Sequence, residues 1–195
     1  MDFGEPFGGL MPGARGAALA VLLRTGAPLT GRRVHALVAD RHSLGAVQQA
    51  LRDLERLGLI TTETIGRAGV HRINKGHAAI APLRVLASPI EMLRRVVEGV
   101  VRDVDAVIVF GSVARGDAHA GSDVDLLVIA AAAWDGRAEL QQQVQERLGN
   151  HCDVLHLTGD DFERAPEDRE PVLSEILRDG IALVGAMPRR SRVAS

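Results

Sequence analysis

The spacing of apolar and polar positions divides the chain into segments of helical and of strand period. Helical spacing, with an apolar residue at every third or fourth position, covers residues 14–23, 30–39, 44–57, 90–102, 137–148 and 171–179. Strand-like runs cover residues 59–65, 70–73, 106–110, 123–129, 152–157 and 181–184. Three helices and a hairpin thus precede a segment in which helices and strands are mixed. This order predicts an α+β chain of two domains.

Composition along the chain suggests where these domains begin and end. Residues 1–13 are rich in Gly and Pro and are expected to form a disordered tail. The first domain is predicted over 14–80 and the second over 81–187, with the Ala- and Pro-rich stretch 76–88 as the link between them. An acidic, mobile segment is expected to begin at Asp160. The arginine-rich stretch 188–195 is predicted to be a second disordered tail.

Charge is unevenly divided between the two halves. The chain carries a net charge of -2, but residues 1–82 hold ten basic and six acidic side chains, and the remainder holds thirteen and nineteen. A basic front half and an acidic back half indicate different partners. Cys152 is the single cysteine, which excludes an internal disulfide framework and a multi-cysteine zinc site. Without a membrane-spanning run or a signal pattern, the chain is expected to be soluble and cytoplasmic, with no membrane partner.

The most informative stretch runs from Val107 to Ile129. A buried strand ends at Gly111-Ser112, a short segment and a polar loop follow, and the chain returns as Asp123-Val124-Asp125 before four apolar residues. Residues two apart on a strand share a face, so the two carboxylates project together. Two adjacent anions repel each other unless a cation neutralises them, which predicts a site for a hard divalent metal ion.

The same stretch resembles the nucleotidyltransferase fold of the polymerase β superfamily. Residues 111–117 (Gly-Ser-Val-Ala-Arg-Gly-Asp) and 121–128 (Gly-Ser-Asp-Val-Asp-Leu-Leu-Val) are similar to the minimal nucleotidyltransferases. That group includes kanamycin nucleotidyltransferase-like enzymes and the antitoxins that pair with HEPN toxins. The resemblance implies a Mg²⁺-dependent transfer of a nucleoside monophosphate from an NTP, with ATP as the first candidate. Two Mg²⁺ ions are expected, roughly 3.5–4 Å apart, clamping the attacking and leaving oxygens.

The resemblance also implies roles for individual residues. Asp123 and Asp125 are the expected metal-binding and catalytic carboxylates, and Asp153 occupies the place of the family's third acid. Strand alternation puts His151, Asp153 and Leu155 on one face. Two alternatives remain open for activation of the acceptor hydroxyl: Asp153 serves as the general base, or positioning of the substrate alone suffices. Residues expected to bind nucleotide are Gly111, Ser112, Arg115 and Ser122, although Arg115 can equally pair with Asp117.

The first domain resembles the winged helix-turn-helix domain of bacterial transcription regulators. The run from Leu51 to Ile60 is similar to the end of a recognition helix entering a wing. The resemblance implies double-stranded DNA as a partner, with a helix in the major groove and the hairpin on the backbone. The DNA-binding candidates are Ser43, Gln48, Gln49, Arg52, Arg67, Arg72 and Lys75, with His71 also on the wing. Such a domain can instead serve only for dimerisation or docking.

Three functional hypotheses follow. The first is a nucleotidyltransferase acting on a hydroxyl of a protein or small-molecule acceptor, fused to a DNA-binding domain. The second is a transcriptional regulator whose transferase-like domain binds nucleotide as a sensor without turnover. The third is an antitoxin-like protein that modifies a partner protein. A homodimer is compatible with all three.

Overall fold

The computed structural model describes residues 1–164 and 171–187, and the chain forms two compact units. The N-terminal unit comprises Glu5–Pro89, and the C-terminal unit comprises Met1–Gly4 together with Ile90–Ser195. The fold is α+β with two separate sheets. The predicted 188–195 tail lies outside the described residues. None of the helices in the described ranges is long and apolar enough to cross a bilayer.

Four helices and a small antiparallel sheet make up the N-terminal unit. Its sheet has the strand order β1-β3-β2, and its core is built mainly from the apolar residues of the first and third helices. After a short 3-10 helix at Pro6–Gly9, its elements are α1 (Gly13–Thr25), β1 (Leu29–Thr30), α2 (Gly31–Ala36), α3 (Leu44–Arg56), β2 (Ile60–Ile65), β3 (Ala68–Ile73) and α4 (Ile80–Leu86).

Helix caps explain where two of these helices begin. The Thr30 side chain accepts a hydrogen bond from the Arg33 N–H, and Ser43 accepts one from the Ala46 N–H. Each cap satisfies a donor that has no partner within the first helical turn. Helical spacing predicts Val47, Leu51, Leu54 and Leu57 on one apolar face of α3; the first three are buried, whereas Leu57, at the C-cap, is exposed. The three helices and the hairpin predicted here are therefore confirmed.

The C-terminal unit is built on a four-stranded mixed sheet with strand order β6-β5-β4-β7. The β4 strand pairs antiparallel with β5 and β7, whereas β5 and β6 are parallel. Apolar clusters cover both faces, one including Leu93 and Leu140 and the other Phe162 and Leu173. The elements are α5 (Pro89–Val100), β4 (Val104–Phe110), α6 (Gly111–Arg115), β5 (Val124–Ala130), α7 (Arg137–Leu148), β6 (Cys152–Leu157), α8 (Gly159–Arg164), α9 (Pro171–Asp179) and β7 (Ile181–Val184).

Residues 1–13 have defined contacts instead of forming the expected disordered tail. Phe3 is buried in the core of the C-terminal unit, and Phe7 in that of the N-terminal unit. The Met1 ammonium group donates to the Leu148 carbonyl oxygen at 2.8 Å and to Asn150 Oδ1 at 2.7 Å. The Gly and Pro content of this segment predicted disorder. The segment is ordered because Phe3 and Phe7 each bury a large apolar surface.

Two further segments differ from expectation. The stretch 76–88, predicted to be a linker, contains α4, because Ile80 is buried in the N-terminal core. The units consequently divide at Pro89 rather than at residue 80. The described part of the acidic stretch, residues 160–164, lies in α8, where Phe162 is 1% exposed, and residues 165–170 lie outside the described residues. A single buried aromatic residue fixes a segment whose other side chains are polar.

Candidate metal and nucleotide site

Three carboxylates meet where β4 ends and β5 and β6 begin. Asp123 directly precedes β5, and Asp125 and Asp153 are the second residues of β5 and β6. Parallel pairing sets Asp125 directly opposite Asp153, and antiparallel pairing sets it opposite Phe110, the last residue of β4. Val124, which lies between Asp123 and Asp125, and Cys152, which precedes Asp153, are both buried. Alternation along the strands therefore places the carboxylates on the other face of the sheet.

The three carboxylates differ in exposure and in acidity. The side chains of Asp123 and Asp153 are 55% and 63% exposed, whereas Asp125 is half-buried. Burial raises the pKa of Asp125, and the negative charges of Asp153 and Asp123 raise it further, while Arg115 acts in the opposite direction. Like charges held together in this way are stabilised by a cation. Hard carboxylate oxygens are also the donors that Mg²⁺ prefers, so the donor set fits this ion.

Gly111 lets the backbone pass close to Asp125. Its φ of +67° is unfavourable for other residues, and a Cβ placed there would lie 2.3 Å from Asp125 Oδ2. The space beside Asp125 therefore exists because Gly111 has no side chain. This is a specific structural reason for glycine at the junction of β4 and α6.

Two of the predicted nucleotide-binding side chains are already engaged in local contacts. Arg115 pairs with Asp117, with 3.3 Å between Nε and Oδ2, and with Glu175 on α9. Ser122 Oγ accepts a hydrogen bond from the His119 N–H at 3.0 Å, closing the loop before β5. Ser112 is partly exposed in α6. Their roles toward nucleotide remain predictions.

His151 is a neighbour of the carboxylates that was not among the predicted site residues. Its Nδ1 lies 3.8 Å from Asp123 Oδ1 and 4.0 Å from Asp153 Oδ1. Ligand atoms of these three residues all lie within 4.8 Å of one another. Strand alternation had put His151 on the face of Asp153. Its approach to Asp123 depends on the parallel pairing of β5 with β6, which the sequence alone does not specify.

Asn150 ties the two carboxylate-bearing segments together. This side chain is 2% exposed, and its Nδ2 donates to the Ser122 carbonyl oxygen at 3.1 Å and to the Met1 carbonyl oxygen at 3.0 Å. Ser122 precedes Asp123, and Asn150 precedes His151. Asn150 therefore holds the start of β6 against the loop that carries Asp123. Its position after the α7 cap, Gly149, gave no sequence signal for this role.

The predicted DNA-binding residues are all exposed, but they do not form one group. Gln48, Arg52 and Arg67 line a cavity of about 710 Å³ with Arg32, which had not been singled out. The Ser43 hydroxyl is used as the α3 cap. Gln49 accepts a hydrogen bond from Arg52 at 2.7 Å, and Arg72 pairs with Glu63 at 2.8 Å. Lys75 lies in the turn after β3, away from the cavity lining.

Comparison with known proteins concerns the C-terminal unit. No curated protein significantly matches the chain. A model of the family described as Polymerase beta, Nucleotidyltransferase matches residues 93–185. These residues are similar to nucleotidyltransferases. The matched segment includes all three carboxylates and Gly111, which supports a nucleotidyltransferase-like domain.

Several solved structures are similar over half of the chain. A toxin–antitoxin with AMP-PNP shares 22% identity, with a TM-score of 0.39, over 50% of this chain and 74% of that chain. A tri-AMPylated Shewanella oneidensis HEPN toxin in complex with MNT antitoxin shares 19%, with a TM-score of 0.34, over 50% and 73%. The toxin–antitoxin MntA-HepT shares 19%, with a TM-score of 0.34, over 50% and 70%.

Proposed function

We propose that the C-terminal unit is a Mg²⁺-dependent nucleotidyltransferase that moves a nucleoside monophosphate from an NTP, ATP first among them, to a hydroxyl acceptor. The observation that supports this most is the proximity of Asp125, which lies beside Gly111, to Asp153 opposite it and to Asp123 two residues before it. Negative charge accumulates on several phosphate oxygens when pyrophosphate is displaced from an α-phosphate. A divalent ion held by these carboxylates supplies the neutralising charge.

The chain's own residues have separable tasks in this proposal. Asp123, Asp125 and Asp153 hold the metal ion, and the uncovered backbone at Gly111 allows the triphosphate to approach closely. Arg115 is oriented by Glu175 and Asp117, which leaves Nη2 directed to neither partner and available for a phosphate oxygen. The acceptor hydroxyl is positioned near the exposed carboxylates, and either Asp153 takes its proton or positioning alone suffices.

Label transfer tests this proposal. The full chain is incubated with Mg²⁺, α-phosphate-labelled ATP and a cell lysate as the source of acceptor. We expect a labelled acceptor whose formation is abolished in Asp123→Asn and Asp125→Asn, which keep side-chain size but remove charge. Asp160→Asn is the matched control, since Asp160 is an exposed carboxylate paired with Arg164 on α8. Metal-dependent nucleotide binding without transfer to any acceptor supports the sensor hypothesis instead.

We further propose that the N-terminal unit binds double-stranded DNA through α3 and the β2–β3 hairpin. Support comes from the cavity between these elements, where Arg32, Arg52 and Arg67 gather beside Gln48. Three arginine side chains that line one cavity favour a polyanion, and Gln can pair with adenine edges. In this proposal the DNA-binding unit either brings the nucleotide site to a genomic location or couples DNA binding to the nucleotide state of that site.

Selection from random duplexes, followed by salt titration, tests DNA binding. We expect a preferred site, and a salt dependence whose slope falls by about one when Arg67→Ala removes a phosphate contact. Arg24→Ala is the charge-matched control, because Arg24 is exposed at the end of α1 and does not line the cavity. Failure to retain any duplex at low salt excludes this half of the proposal and leaves docking or dimerisation.

A further inference from the structure

The site proposed above contains one nitrogen donor among its oxygen donors. The His151 side chain is 59% exposed and stands between Asp123 and Asp153. Its Nδ1 is 3.8 Å and 4.0 Å from the nearest oxygen of each. Both distances exceed a hydrogen bond, so the imidazole is close to two carboxylates without being bonded to either.

These separations are near those of ligands that share one ion. Donor atoms about 2.1–2.2 Å from a metal ion lie roughly 3.0–3.5 Å apart at octahedral or tetrahedral angles. The two distances from His151 need a contraction of only a few tenths of an ångström to about 1 Å, and the two carboxylates, whose ligand atoms lie within 4.8 Å of each other, must also approach. All three side chains are more than half exposed, so they can make this adjustment by small rotations.

The backbone holds His151 at this place independently of any ion. The His151 carbonyl oxygen accepts a hydrogen bond from the Val124 N–H at 2.9 Å, between Asp123 and Asp125 in the chain. The neighbouring Asn150 side chain is bonded to Ser122. His151 is thus fixed on both sides to the segment that carries the carboxylates. Binding an ion therefore requires ordering of the His151 side chain but not of its backbone.

Asp125 differs from His151 in environment as well as in donor type. It is half-buried against Gly111 and lies deeper in the site than the exposed group of Asp123, His151 and Asp153. The site therefore has an inner part with oxygen donors only and an outer part with a mixed donor set. Imidazole suits transition ions, whereas Mg²⁺ prefers oxygen.

We propose that His151 binds metal together with Asp123 and Asp153, so that the outer part of the site prefers a divalent transition ion, with Mn²⁺ as the probe, over Mg²⁺. This inference rests on the proposed metal-dependent function and specifies its ion. The site then distinguishes ions by the nitrogen ligand and not by carboxylate number. Removing His151 leaves a carboxylate site that still binds Mg²⁺.

Electron spin-echo spectroscopy of bound Mn²⁺ tests the nitrogen ligand directly. On the full chain we expect the modulation of a directly coordinated nitrogen, lost in His151→Asn, where an oxygen donor replaces nitrogen in a side chain of similar reach. The control is His119→Asn, because His119 is an exposed histidine in the loop before Asp123. It should retain the signal. Unfolding followed by the fluorescence of the single tryptophan, Trp134, verifies that each variant is folded.

Calorimetric titration with each metal alone supplies the second readout. We expect the ratio of Mg²⁺ to Mn²⁺ dissociation constants to fall on the order of 10-fold or more in His151→Ala, with Mg²⁺ affinity little changed. Mn²⁺ binding that depends on Asp123 but shows no nitrogen coupling overturns this inference and leaves the carboxylate metal site intact. Absence of binding by either ion overturns the inference and the metal-dependent function together.

Discussion

Replacing Gly111 by alanine separates the two reasons for glycine at the end of β4. One reason is conformational, since the φ of +67° costs a residue with a side chain about 1–2 kcal/mol. The other is spatial, because the new Cβ would lie 2.3 Å from Asp125 Oδ2. An ordinary carbon–oxygen contact is about 3.3 Å, so the carboxylate must move by about 1 Å.

Gly116 provides the matched control. It ends the same short helix with a φ of +80°, and a Cβ built there would have no neighbour within 4 Å. Gly116→Ala therefore carries the conformational cost without displacing a carboxylate. We expect both variants to lose stability, and only Gly111→Ala to lose the geometry of the metal site.

Two measurements distinguish these effects. Urea unfolding followed by Trp134 fluorescence reports on the C-terminal unit, and with a slope of about 2 kcal/mol/M both midpoints should fall by about 0.5–1 M. The rate of label transfer should fall on the order of 100-fold in Gly111→Ala, because a 1 Å displacement of a catalytic group has an effect of about this size. Equal loss of transfer in both variants would refute the spatial argument.

Three further predictions concern residues around the site. Asp125→Asn should stabilise the metal-free chain at pH 7, because the raised pKa of Asp125 means that its charged form destabilises the folded state. As pH falls toward the ordinary aspartate pKa of 3.8, the folded wild-type chain binds its proton before the unfolded chain does, so the advantage of the variant should shrink. Urea titrations at several pH values measure this trend. Asn150→Ala should lower the midpoint by an amount equivalent to about 1–3 kcal/mol and reduce metal affinity in calorimetry, since it leaves two partly buried carbonyl oxygens without this donor; unchanged metal affinity would contradict its positioning role. Burial, with the charges of Asp153 and Asp125, raises the pKa of the Cys152 thiol to about 12, so Ellman's reagent should label it only after unfolding.

Local patterns in the sequence contained most of the site. Strand alternation was enough to predict Asp123 and Asp125 on one face, and the motif around Gly111 and Ser112 indicated the similarity to nucleotidyltransferases that the family model finds over residues 93–185. The relation of Asp153 to Asp125 was implied by the resemblance to the nucleotidyltransferases, together with a coarse strand assignment. Features that depend on one segment and its immediate neighbours could be predicted for this reason.

Features that depend on distant segments could not be predicted. The position of His151 beside Asp123 arises from parallel pairing of β5 with β6. The pairing of Arg115 with Glu175 requires α9 to pack against α6, sixty residues later in the chain. The contacts of Asn150 with Met1 span 149 residues. A hydrogen bond of this kind leaves no periodic signal in either segment.

Comparison of two labelled forms of ATP tests directly whether the carboxylate site transfers a nucleotidyl group. The full chain, Mg²⁺ or Mn²⁺ and an acceptor-containing lysate receive either α-phosphate-labelled or γ-phosphate-labelled ATP. A nucleotidyltransferase transfers the α label to the acceptor and releases the γ label as pyrophosphate, and both events should disappear in Asp125→Asn. Transfer of the γ label to the acceptor, or α-label transfer that persists in Asp125→Asn, would contradict the account.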